Sequence, residues 1–302
     1  MQHAQAVGVS ASSAAPTSWS TAGPNTSSRR RVLVAAPALL LSGLLIPPVL
    51  VATGAGLLVP GVYRDAPVWA AQARGQDLVT LLVALPLLAI GLIGAARGSV
   101  RSLLVWIGAV GYLAYAYATD AFGAHFNPLF LVYVASFGLA LYALVLGLVG
   151  VDAGTLAATF PRSAPTRLVG TSLIAMGLLT AALWLAQDVS AIASGRVPVS
   201  VTEAGLLTNP IHVLDLAIVL PGAVVTGALL LRRRPWGFIL AASFLVKFAT
   251  LGLATISMSL FMLAEHQPFD LPLSVVFSVW TVGAVFLAWR FLSSLSPPGH
   301  QR

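Results

Sequence analysis

Two charged residues, Asp215 and Lys247, stand inside apolar runs long enough to cross a bilayer, and chemistry would be sought there first. A charge in hydrocarbon is costly, so it marks a pathway, a relay or a ligand site by default. His212 precedes Asp215 by three residues, which places both on one helix face. With Asn209 they make a polar strip descending from one membrane surface. If that helix begins near Leu207, Asp215 lies roughly 12 Å deep at about 1.5 Å per residue. Such a strip suits a proton or cation pathway, or a small-ligand site. It equally suits hydrogen bonds that merely hold helices together.

Lys247 is the only lysine in the chain and sits near the middle of its run. A direct ion pair with Asp215 is geometrically marginal. Helical side chains lean toward their own N-termini, which separates the two groups by roughly 8 Å along the membrane normal. Pro221 offers a second partner: it has no N–H for the carbonyl of Ala217, and that freed oxygen could accept from the ammonium.

A second group gathers at the same membrane surface: Asp77, Asp120, His125, Glu265 and His266, with Asp270 nearby and Tyr112, Tyr115 and Tyr117 on one run. Carboxylate and imidazole together could hold a divalent ion. No spacing of the His-Glu-x-x-His kind supports one, so no metal and no cofactor is expected. Solvated loop charges and interfacial tyrosines are the default reading. No catalytic residue can be assigned either. There is no phosphate-binding glycine loop, no Gly-x-Ser-x-Gly elbow, and no second buried acid beside Asp215 for a carboxylate dyad.

These residues need a scaffold, and composition dictates which. Of 302 residues, 58% are hydrophobic and only 8% charged. A soluble domain has about 25% charged residues. Lipid must therefore solvate most side chains. The net charge of +7 does not point to nucleic acid, because the arginines sit at the ends of apolar runs and not on a face interleaved with aromatics. With no cysteine, disulfides and thiolate metal sites are excluded.

Eight windows are apolar enough to span: 32–58, 78–96, 102–119, 128–150, 168–187, 211–231, 236–263 and 271–292. The fold expected is an all-α polytopic bundle of about eight spans. Continuous runs near twenty residues exclude a membrane β-barrel, whose strands alternate over about ten. Residues 1–31 read as a Ser/Thr-rich cytoplasmic tail ending in Arg29, Arg30 and Arg31. Residues 32–293 form the membrane domain, and 294–302 a short cytoplasmic tail. Twelve arginines fall in the segments on the tail's side of the membrane and only Arg64, Arg74 and Arg196 in the opposite loops. By the positive-inside rule both termini are then cytoplasmic, in a plasma (inner) membrane. Trp236 and Trp289 at one surface, and Trp69 and Trp184 at the other, suit aromatic belts.

Asp77–Arg97 aligns without gaps on His212–Arg232, matching Leu81, Leu85, Pro86 and Arg97 with Leu216, Leu220, Pro221 and Arg232. That offset brackets four spans and would suit a parallel duplication of four helices. Pro86 and Pro221 could then break their helices at a binding site.

The stretch Phe126–Asn127–Pro128–Leu129–Phe130–Leu131–Val132–Tyr133–Val134–Ala135, with Leu231–Arg232–Arg233–Arg234–Pro235–Trp236–Gly237 and Lys247, resembles an uncharacterised family of prokaryotic multi-pass membrane proteins. The resemblance implies the same membrane topology and no particular activity. Three functional readings follow. The shortage of buried polar groups favours a non-catalytic membrane sensor, scaffold or subunit, with the bilayer and a homo-oligomer or membrane partner subunit as its contacts. The alternative is a small-solute or ion transporter using Asn209, His212, Asp215 and Lys247. The third is an intramembrane enzyme with His212 as base and Asp215 orienting it.

Overall fold

The computed structural model describes residues 36–295. The N-terminal tail with Arg29, Arg30 and Arg31, and residues 296–302 of the C-terminal tail, lie outside the described residues. Eight helices are long and apolar enough to cross a membrane: Ala36–Leu58, Pro67–Ala96, Val100–Gly123, Phe130–Val149, Thr166–Ala193, Pro210–Leu231, Pro235–Ala264 and Leu271–Ser293. They are called spans 1 to 8 below. No strand occurs among the described residues. The protein is an all-α, multi-pass integral membrane protein.

Local sequence explains where the helices start. Spans 2, 6, 7 and 8 begin at a proline or just before one, where its missing N–H costs nothing. Ser99, Asn209 and Asp270 cap spans 3, 6 and 8, their side chains accepting from the first free backbone N–H groups. Three spans outrun their apolar windows. Span 2 begins at Pro67 and not near 78, span 3 runs to Gly123, and span 5 to Ala193. Arg74, Asp77 and Asp120 therefore lie on helices and not in loops as the sequence reading had them. Hydropathy ends where polar residues begin, but these polar residues find partners on neighbouring helices and the helices continue.

Pro86 and Pro221 do not break spans 2 and 6. Each follows a single π-helical turn, Thr80–Ala84 and Asp215–Val219. In a π turn the hydrogen bond reaches back one residue further. That widening relieves the clash between a proline ring and the carbonyl four residues earlier. The two turns stand 135 residues apart (215 − 80), as do the starts of spans 3 and 7 (235 − 100) and the ends of spans 1 and 5 (193 − 58). The hairpins behind them match as well: Gly98 and Arg233 both take positive φ, at 82° and 50°.

Spans 3 and 7 form the centre. Span 3 is the most enclosed helix, with Trp106, Tyr112 and Leu113 fully buried. Span 7 packs on span 3 and on the N-terminal half of span 2. That last approach is close because of a glycine: a Cβ on Gly75 would fall 2.5 Å from the backbone of Met258. Gly170 and Gly227 do the same for spans 5 and 6, where a Cβ on either would strike the other's carbonyl at 3.0 and 2.5 Å. Small residues at helix crossings are the usual means of packing in lipid. Spans 1 and 4 lie side by side along their length, whereas spans 5 and 8 barely touch.

Candidate functional site

The gap between spans 5 and 8 opens into a cavity of about 550 Å³ at the end of the bundle opposite the arginine-rich loops. Pockets that bury a small organic ligand have about 300–1,000 Å³. Spans 2, 3, 5, 6, 7 and 8 and the loop before span 6 all contribute to its wall.

The polar strip forms one side of it. Asn209 accepts from the backbone N–H of Ile211 and His212 and so fixes the start of span 6. One turn in, His212 Nδ1 lies 2.9 and 3.1 Å from the two carboxylate oxygens of Asp188. The imidazole also stacks on Trp184, ring centroids 4.4 Å apart. Trp184 in turn donates its indole N–H to Asp215 at 2.9 Å. The chain Asp188–His212–Trp184–Asp215 thus zips spans 5 and 6 together and delivers one carboxylate to the cavity floor. His212 and Asp215 are both buried, at 5% and 7% exposure. His212 is oriented by Asp188 and not by Asp215, which corrects the base-and-orienter pairing proposed from sequence.

Lys247 lines a separate apolar groove of about 420 Å³ among spans 3, 4, 6 and 7. Its ammonium makes no hydrogen bond and sits 4.0 Å above the ring of Tyr115. The bridge from Lys247 to the Ala217 carbonyl is therefore not formed. Tyr115 also interacts with Asp215. It stands between groove and cavity, lining both. Lys247 senses the charge of Asp215 without touching it.

The second sequence-predicted group divides into three. Asp77 on span 2 and Asp120 near the end of span 3 are both buried, Asp77 hydrogen-bonded by Tyr63 and Asp120 by Gln76. Glu265 forms a forked ion pair with Arg74, one arm 2.9 Å from Nε, tying span 7 to span 2. His125 lies in the loop before span 4. Its backbone N–H donates to Asp65 at 2.6 Å and its ring Nε2 meets the carbonyl of Gly205 at 3.0 Å. That carbonyl, chiefly, raises the His125 pKa from its ordinary value, and burial raises that of Asp65. Burial, helped by the charge of Asp77, raises the Tyr63 hydroxyl well above its usual value. His266 joins neither group and turns the chain at the end of span 7 with φ 55°.

Two expectations about aromatics are corrected. Tyr112, Tyr115 and Tyr117 are buried in the core and not at an interface, because span 3 is the central helix. Trp69 and Trp184 are cavity walls and not belt residues, at 5% and 8% exposure, while Trp236 and Trp289 remain outward-facing. Trp184 and Asp188 are functional candidates that sequence reading passed over. Their signal was present: residues four apart on span 5, antiparallel to His212 and Asp215 three apart on span 6.

No family model, curated protein or solved structure matches the chain. The functional argument therefore rests on the cavity itself. Its carboxylates are Asp215 at the floor and Glu203 and Asp270 nearer the rim, and no lysine or arginine lines it. Trp69, Tyr115, Trp184, Phe269 and Phe277 are its aromatic residues.

Proposed function

We propose that the protein is a small-solute transporter of the plasma membrane and that its solute is an organic cation carrying an apolar group. The supporting observation is the lining of the cavity: three carboxylates and five aromatic rings with no basic side chain except His212. A carboxylate favours an ammonium, and aromatic faces attract it further by about 0.5–2 kcal/mol each. An amine would gain Asp215 as its charge partner while Trp184 keeps the carboxylate aimed. The cavity favours solute handling over a purely scaffolding role. Placing the arginine-rich end in the cytoplasm puts the cavity mouth on the outer face. The matched turns of spans 2 and 6 support a design of two parallel four-helix halves, with the cavity belonging to the second.

Ligand binding to the folded state raises its melting midpoint by mass action. Purified protein titrated with tetraethylammonium, benzylamine, benzoate and benzyl alcohol should be stabilised by the two cations only. Asp215→Asn should lose that shift. Counterflow of labelled benzylamine into proteoliposomes then tests transport. Stabilisation by benzoate in place of benzylamine would overturn the cationic assignment. Binding without counterflow would make the protein a receptor. Silence toward all four probes would return the partner-subunit reading to first place.

A further inference from the structure

The apolar groove beside Lys247 opens in a different direction from the cavity. Spans 3 and 7 form its floor and spans 4 and 6 its sides, which have little contact with each other. Leu141 and Ile218 line it and are 37% and 65% exposed, so its mouth faces sideways, where a bilayer supplies hydrocarbon. From Phe137 to Leu148 on span 4 it runs roughly 16 Å at about 1.5 Å per residue. Gly111 keeps the floor clear, since a Cβ there would meet nothing within 4 Å. The volume of about 420 Å³ lies within the range of pockets that hold a ligand.

One polar group in the groove lacks a partner. Ser243 donates its hydroxyl to the carbonyl of Ile239, and Tyr115 interacts with Asp215. The Lys247 ammonium is buried and makes no hydrogen bond. The rings of Tyr115 and Phe248 stand 4.0 and 5.2 Å from it, but rings accept none of its N–H groups in the way an oxygen does. Buried charges are ordinarily paired. Toward the arginine-rich end the walls are Ile107, Leu144, Leu148, Leu240 and Phe244, all apolar. The complement to an ammonium at one end of a greasy channel is an acid on a long alkyl chain. Lys247 lies twelve residues into span 7 (247 − 235), roughly 18 Å at about 1.5 Å per residue. That is beyond the reach of a lipid phosphate, which stays outside a hydrocarbon core about 30 Å thick. A carboxylic acid can go that deep, because taking up a proton removes its charge on the way.

We propose that the groove binds one free long-chain fatty acid, its carboxyl group on Lys247 and its chain lying along spans 3 and 4 toward the arginine-rich end. The acid enters sideways from the bilayer. Tyr115 is the one side chain lining both groove and cavity, so the two sites adjoin without overlapping. This second site stands whether or not the cavity takes an organic cation.

The test is photolabelling of full-length protein in phosphatidylcholine vesicles with palmitate carrying a mid-chain diazirine, followed by peptide mapping. Label should fall on the groove stretches of spans 4 and 7, and excess palmitate should displace it. Hexadecanol, with the same chain length and no acid, should displace it about tenfold less well, and Lys247→Met should weaken labelling about tenfold, as loss of a charged hydrogen bond implies. Gly111→Leu fills open space and replaces a glycine within a helix, so it should melt no lower than wild type yet lose the label. Benzylamine, the probe for the cavity, should leave the label in place, so failure of the cavity reading does not touch this one. Label outside the groove, or full labelling of Gly111→Leu, would overturn the proposal. So would equal displacement by hexadecanol, or full labelling of Lys247→Met, because the groove would then take any acyl chain of the bilayer.

Discussion

The two halves of the bundle, spans 1 to 4 and spans 5 to 8, solve one architectural problem with different residues. At matched depths on their second and third helices, the first half has Thr80 and Tyr112, whose hydroxyls meet at 2.9 Å. The second half has Asp215 and Lys247 at the corresponding positions, 135 residues on (215 − 80, 247 − 112). A neutral hydrogen bond is replaced by two full charges that do not touch. The first half is also closed, spans 1 and 4 lying together, whereas the second is open between spans 5 and 8. The outer turns of span 2, Pro67 onward, have no counterpart in span 6, which begins only at Pro210. The open side, the shortened helix and Asp215 coincide at the cavity. The closed half keeps its carboxylates sealed inside. The lesson is that two runs of four spans with the same helix spacing can differ in whether their flanking helices close, and that the cavity lies where they do not.

The comparison can be broken most forcefully at those matched positions. Asp215→Ala leaves Lys247 buried without a counter-charge and should cost about 3 kcal/mol of unfolding free energy. Thr80→Ala, its counterpart, removes one neutral hydrogen bond and should cost about 1 kcal/mol. Copying the first half into the second, Asp215→Thr with Lys247→Tyr, should recover most of the loss while abolishing benzylamine binding. Denaturant or thermal unfolding in detergent reads all three, and equal costs for the two single variants would remove the contrast. Gly75→Val should come next, because overpacking against Met258 costs about 1–3 kcal/mol. It should also loosen span 7 from span 2, seen as faster proteolysis of the loop between spans 7 and 8.

A subtler pair compares two indoles. Trp184 donates to a carboxylate and Trp106 to the hydroxyl of Ser42, at 2.9 and 3.0 Å. A hydrogen bond to a charged group contributes about 1.5–3 kcal/mol and a neutral one about 1. Trp184→Phe should therefore destabilise more than Trp106→Phe, and it alone should weaken benzylamine binding in a titration. The smallest effect comes from Asp65 and from His125, which joins the halves through the carbonyl of Gly205. Folding raises the pKa of each, so each favours the fold fully below its unfolded value and loses that contribution as pH rises through its folded value. Thermal midpoints should drift down slightly from about pH 4 upward through Asp65 and again from about pH 6.5 upward through His125. In His125→Gln the upper drift should disappear, whereas an undiminished upper drift would assign it elsewhere.

The scaffold was legible because lipid makes strict demands: a run such as 128–150 can be little but a span. Helix ends were less legible. Asp77 and Asp120 looked like loop charges because hydropathy cannot see that Tyr63 and Gln76 will receive them. The strip Asn209–His212–Asp215 was readable, since its spacing lies within one helix. Asp188 and Trp184 were not singled out, because their role depends on how span 5 packs against span 6. Lys247 shows the same limit. Its depth followed from counting residues, but its seat over Tyr115 depends on where the central helix lies.

The π turns of spans 2 and 6 amount to one surplus residue lodged in each rod. Removing that residue would restore a regular ladder of hydrogen bonds, yet it would also press Pro86 or Pro221 against the turn before it and bend the rod. The irregular turn is what keeps these helices straight enough to reach both surfaces. A chain shortened there by a single residue would be tidier on paper and crooked in the membrane.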